Sequence, residues 1–135
     1  MPVNVIALIY RNPNVPPEEF KIRYEAHIEL IKRVAGETFP LVHRRSYLAR
    51  TPGLSFAGEG EGGRPATLFA GQQSDFAFDA VVELTFENQA AFQAFSGRIY
   101  SPNVIELLGG EEGFMDRRRL GAVLVSQVVE TRRAE

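Results

Sequence analysis

An α+β fold, a four-stranded antiparallel sheet with two helices on one face, is predicted by three features of the sequence. The elements run strand, helix, strand, strand, helix, strand. The middle two strands are joined by a loop in place of a helix. The first and last strands are apolar on both alternations. This βαββαβ order is the ferredoxin-like arrangement. The 135 residues suffice for one compact domain spanning 1–135.

Each element has a local reason. Val3 to Tyr10, VNVIALIY, is β-branched and apolar on both faces, the mark of a strand covered on both sides. After the breaker Asn12 to Pro17, Pro16 and Pro17 stand where a helix begins. Glu18 and Glu19 suit the positive end of its dipole, and no further breaker occurs before Gly36. On this helix Phe20, Tyr24, His27 and Ile31, with Ile28 and Val34 beside them, form one stripe directed at the core. Leu41 to Arg50 alternates, with His43, Arg45, Tyr47 and Ala49 on one side of a strand and Val42, Arg44, Ser46 and Leu48 on the other. Thr51 to Ala77, glycine-rich and without period, reads as a long surface loop, a lid or mobile padding. Alternation resumes from Phe78 to Phe86. Glu87 to Phe95 is a short helix stopped by Gly97, and Ser101 and Pro102 open a second short helix through Leu108. The valine-rich run from Arg119 to about Thr131 is the fourth strand.

With both helices on one side, the two-sided apolar strands leave a sheet face too greasy for a soluble monomer. A second copy packed sheet to sheet buries it, so the expected assembly is a two-fold homodimer, a dimeric α/β barrel.

Composition removes several function classes. Fifteen basic residues balance 17 acidic ones, so no overall field gathers nucleic acid. No run reaches the roughly 18 to 20 apolar residues of a membrane helix. The start, MPVNVIALIY, lacks the features of a signal peptide, so no membrane association and a cytoplasmic location are expected. Without cysteine there is no disulfide, thiolate nucleophile or thiolate metal site. Only two histidines occur, with neither His-x-His nor HExxH spacing, so no metal is expected. The GEGEGG run is no phosphate cradle, because no helix and no Lys-Ser or Lys-Thr follows and its glutamates repel phosphate. Arg117 to Arg119 reads as a solvated turn, no nucleophile elbow supports a serine triad, and nothing requests haem or another cofactor.

The segment PPEEFKIRYEAHIELI resembles the first helix of the EthD-type branch of the dimeric α/β barrel proteins, in its Pro17, Phe20, Tyr24 and His27. The His43-x-Arg45-x-Tyr47 strand, FDAVVELTF and SPNVIELLGGEEGFMD are similar to that family as well, particularly its fungal members, outside the Gly58 to Arg64 loop. The resemblance implies the fold, the dimer and a small-molecule cleft between helices and sheet. Family members act as lyases, dehydratases or cofactor-free oxygenases on aromatic or polyketide-like compounds, or serve as accessory proteins.

The sharpest constellation follows if the His43 face of its strand turns toward the first helix. His27, His43, Arg45 and Tyr47 then converge as catalytic candidates. An imidazole of ordinary pKa about 6.5 moves a proton near neutrality. Arg45 and Tyr47 are candidates to hold a developing oxyanion. His27 reads equally as a core histidine satisfied by one hydrogen bond. Phe20, Tyr24, Ile31, Phe78, Val82, Phe92 and Phe95 are candidate walls for a hydrophobic or aromatic substrate, and a plain core would use the same residues. Asp79 and Glu83 are candidate salt-bridge partners across the dimer seam for Arg44 and Arg50. The expected function is a metal-free lyase that abstracts a proton next to a carbonyl. The alternatives are a cofactor-free oxygenase or a metabolite-binding or accessory protein.

Overall fold

The computed structural model describes residues 1–50, 65–102, 104 and 112–134. Strand β1 (Val3–Ile9) leads into helix α1 (Pro17–Ala35). Strands β2 (Val42–Tyr47) and β3 (Ala80–Phe86), helix α2 (Gln89–Ile99) and strand β4 (Gly121–Val125) follow. All pairings are antiparallel and the sheet order is β2-β3-β1-β4, the expected ferredoxin-like topology.

The ends of α1 follow its sequence. Pro17 occupies the first turn, Glu18 and Glu19 lie at the positive end of the dipole, and Lys32 and Arg33 at the negative end. Gly36 ends the helix at φ 59°, a left-handed value that a side chain resists, and its N–H donates to the Lys32 carbonyl. The side of α1 toward the sheet buries Phe20, Tyr24, His27, Ile28 and Ala35.

Register decides which strand residues meet that side. Val5, Ala7 and Ile9 lie opposite Leu84, Val82 and Ala80, which in turn lie opposite His43, Arg45 and Tyr47. Directly opposed residues point to the same face, so the polar row of β2 continues the core row under α1. The main core joins Ala7, Ile9, Ala80 and Val82 to Phe20, Tyr24, Ile28 and Phe114. A second cluster packs Ala35 and Ile99 with Phe39 and Phe95.

Several boundaries differ from expectation. Gly97 does not stop α2, which runs on to Ile99 because that side chain buries against Ala35. β3 begins at Ala80 and β2 ends at Tyr47, although single bonds continue the pairing, from Leu48 N–H to the Asp79 carbonyl and from Asp79 N–H to that of Ile9. β4 stops at Val125, opposite Asn4. Val128 and Val129, within the expected strand, lie outside β4 and exposed. The first half of the expected 51–77 loop and most of the expected helix from Ser101 to Leu108 lie outside the described residues. From 65 onward the loop is tied down: the Gln73 side chain bonds both main-chain groups of Ala66 at 2.9 Å, and Gln73–Phe76 is a 3₁₀ turn.

Candidate active site

A cavity of about 200 Å³ lies between the two helices and the sheet. Its floor is Val5, Ala7, Ile9, Val82 and Leu84. α1 supplies Tyr24, His27, Ile28 and Ile31, and α2 supplies Phe95 and Ile99. His43 enters from β2, Arg117 and Met115 from the segment before β4, and Ala122 from β4. Both histidines thus line one cavity. His27 is 5% exposed, with its ring 5.7 Å from that of Phe114 and 6.3 Å from that of Tyr24. The four residues from Phe20 to Tyr24 and the three from Tyr24 to His27 bring all three side chains to one face of α1.

Arg45 and Tyr47 occupy the same row of β2 as His43, yet neither lines this cavity. Both turn to Glu25 of α1. Arg45 Nε and Nη2 donate to the two Glu25 oxygens at 2.6 and 2.7 Å, and the Tyr47 hydroxyl donates to Oε2 at 2.5 Å. These donors hold the Glu25 carboxyl down at about 2, with the Arg45 hydrogen bond the largest cause. The carboxylate in turn raises the Arg45 pKa. Tyr47 and Tyr24 are both pushed up, chiefly by burial, so each phenol keeps its proton. Arg45 also points Nη1 at the His43 carbonyl, 3.2 Å, and at its Nδ1, 3.3 Å. Burial first and the Arg45 charge second lower the His43 pKa to about 4, so the ring is neutral near pH 7.

The candidate wall residues separate. Tyr24, Ile31, Val82 and Phe95 line the cavity. Phe20 is 1% exposed and lines instead a second hollow of about 220 Å³, shared with Lys21, Tyr47 and Arg50. Phe78 packs on Tyr10 and Phe76, and Phe92 on Phe86; neither reaches the cavity. Asp79 does pair with Arg50, but inside the protomer, at 3.1 Å, together with Arg11 at 3.2 Å. Arg44 lies opposite Glu83 on the sheet face away from the helices.

Two residues of the site escaped the sequence reading. Glu25 flanks the apolar stripe and looks like one more solvated helix charge; the signal was the need of Arg45 and Tyr47, one strand face away, for a common acceptor. Arg117 was hidden in a run resembling a solvated turn. Of that run, Arg119 stacks on the Tyr10 ring at 4.3 Å, Arg118 pairs with Asp116 at 3.3 Å, and Arg117 lines the cavity. Among the described residues no group of three or more His, Asp or Glu side chains could hold a metal ion.

The EthD domain model matches residues 12–118, a span that runs from the end of β1 through α1, β2, β3 and α2 to the turn before β4. The chain belongs to the EthD domain family. Solved structures of similar fold include the Arabidopsis thaliana protein At3g17210, at 13% identity and TM-score 0.57, covering 96% of this EthD protein and 98% of that chain. An EthD family protein from Bacillus halodurans C-125 aligns at 14% identity and TM-score 0.51, covering 95% and 100%. SnoaB, a cofactor-independent oxygenase from Streptomyces nogalater, aligns in a mutant form at 10% identity and TM-score 0.51, covering 96% and 95%. These likenesses are of fold. No curated protein matches the chain.

Proposed function

We propose that this EthD protein is a small-molecule lyase of the dehydratase or decarboxylase type, acting without a cofactor on an aromatic or polyketide-like carbonyl compound. The observation that carries the reading is the meeting of His27, His43 and the Tyr24 ring on one largely apolar cavity. His27 takes the proton from the carbon next to the carbonyl, and the C–H electron pair moves to the carbonyl oxygen as an enolate. In a dehydration the enolate expels the β-hydroxyl, which leaves as water with the proton returned by His27. In a decarboxylation the electrons of the breaking C–C bond form the enolate and protonated His27 delivers the proton to carbon. Arg117 supplies a positive charge for a substrate carboxylate. A volume of about 200 Å³ suits one aromatic ring, since an apolar cavity of about 150 Å³ accommodates benzene.

A second reading is cofactor-free oxygenation, favoured by the fold likeness to SnoaB, an oxygenase of that kind; the same base forms a carbanion that reacts with oxygen. Once a turned-over metabolite is in hand, a His27→Ala variant should lose about 100-fold or more in kcat, and turnover under argon separates the readings. Undiminished anaerobic product supports the lyase, and oxygen-dependent product supports the oxygenase. Normal turnover by His27→Ala removes both.

The proposal includes a homodimer. The sheet face away from the helices carries Ile6, Leu8, Val42, Val81 and Val123, with Val42 45% and Val123 62% exposed. A second copy of this face covers it most simply.

A further inference from the structure

We propose that Glu25 is a positioning residue whose hold on Arg45 fixes His43 as the neutral tautomer protonated on Nε2, a hydrogen-bond donor to the cavity and not a base. The argument rests on donor and acceptor accounting. A guanidinium has only donors and stays protonated. Arg45 gives Nε and Nη2 to the two oxygens of Glu25, which leaves Nη1 aimed at the His43 carbonyl and Nδ1. Facing a donor at 3.3 Å, Nδ1 must offer its lone pair, and the single proton of a neutral imidazole is then on Nε2. The Phe39 ring lies nearly parallel to the His43 ring, at 16° and 6.0 Å between centroids.

Glu25 is what holds the fork in place. It takes three donors, two from Arg45 and one from Tyr47. Among the groups facing His43, the Arg45 cation favours a neutral ring and the Glu25 carboxylate opposes it, and burial with Arg45 outweighs Glu25. On its own strand there is the Arg45 cation; α1 presents Glu25, Tyr24 and His27; Arg117 lies on the wall before β4; the β3 and α2 neighbours Leu84 and Phe95 are uncharged. The lowered His43 pKa, from burial and from Arg45, points the same way. The two imidazoles then divide the labour: His27 moves the proton, and the His43 N–H steadies the oxygen that gains charge. That division rests on the lyase reading, whereas the tautomer is a property of the free protein.

The test needs no substrate. Long-range proton–nitrogen correlation spectra of 15N-labelled protein between pH 5 and 8, with His43 assigned by its loss in His43→Gln, should show the Nε2–H pattern without titration. An Nδ1–H pattern, or a titration midpoint near 6.5, overturns the tautomer. Glu25→Gln loosens the fork and Arg45→Met removes it; a second, Nδ1–H set of His43 signals should emerge, in which that proton turns to the freed His43 carbonyl. Unchanged His43 signals in Glu25→Gln overturn the positioning role, and because Glu25 is partly exposed that variant is expected to fold. Normal turnover by His27→Ala beside an Nε2–H spectrum would remove the lyase reading and leave this one standing.

Discussion

Replacing Asp79 with Asn strikes the junction where β1, β2 and β3 begin or end. The Asp79 carboxylate lies between two guanidiniums: Oδ1 accepts from Arg11 Nε at 3.2 Å and from Arg50 Nε at 3.1 Å, and Oδ2 from the Arg11 main-chain N–H at 3.4 Å. The Arg11 and Asp79 side chains are buried, at 3% and 7% exposure, and that of Arg50 is partly buried at 10%. Removing one partner of a buried pair costs about 3–5 kcal/mol, because the remaining charge stays desolvated. Here Arg11 keeps the Val15 carbonyl and Arg50 keeps those of Phe76 and Phe78, and the Asn oxygen still accepts, so the low end, about 3 kcal/mol, is expected. With a urea m-value of about 2 kcal/mol/M, the unfolding midpoint should fall by about 1.5 M while the slope is unchanged. A midpoint within about 0.3 M of wild type would show that the two arginines do not depend on this carboxylate, and would refute the reasoning.

Acid should destabilise the fold in two steps. His43 is lowered to about 4 from 6.5 and Glu25 to about 2 from 4.5, so the unfolded chain binds more protons than the folded one. Stability present above pH 6.5 is lost through His43 as pH falls toward 4, then through Glu25 from 4.5 downward. Urea midpoints measured against pH should show both, with His43→Gln removing the upper step and Glu25→Gln the lower. Gly97→Ala should stabilise by about 0.5–1 kcal/mol, since the residue is inside α2 and an added Cβ meets nothing within 4 Å; an unchanged thermal midpoint would count against the continuous helix. Val123→Asp places a charge on the exposed sheet face and should bring the mass by light scattering down to the 15.0 kDa of the single chain. A wild-type protein already at that mass would sink the dimer.

The fold was legible because its signals are short-range and redundant. Period-two alternation in β2 and β3 and the period-3.6 stripe of α1 each name a face, but which face of β2 turns toward α1 is settled only by the register that sets His43 opposite Leu84. Boundaries were less legible. Gly97 looks like a stop from its own preference, but the burial of Ile99 two residues later outweighs the cost of glycine inside a helix. The end of β4 is set by its pairing with β1, which reaches only Asn4 opposite Val125, and no local pattern carries that. Phe92 and Phe78 resembled cavity walls because an aromatic on an apolar face looks the same whether it meets a ligand or Phe86 and Tyr10. The polar part of the site was hardest to read. A carboxylate on a half-exposed helix flank gains meaning only when the strand facing it is in register, and Arg45 looked like a ligand for an oxyanion until Glu25 was seen to hold it.

The most direct measurement of the central claim is hydrogen–deuterium exchange at the carbon next to the carbonyl, followed by proton NMR in deuterated buffer with a panel of single-ring aryl ketones and β-keto acids. The account predicts that wild-type protein speeds exchange of at least one probe well above the buffer rate, and that His27→Ala, folded by circular dichroism, returns it to that rate. Exchange by His27→Ala at the wild-type rate, or no acceleration of any probe by wild-type protein, would contradict it.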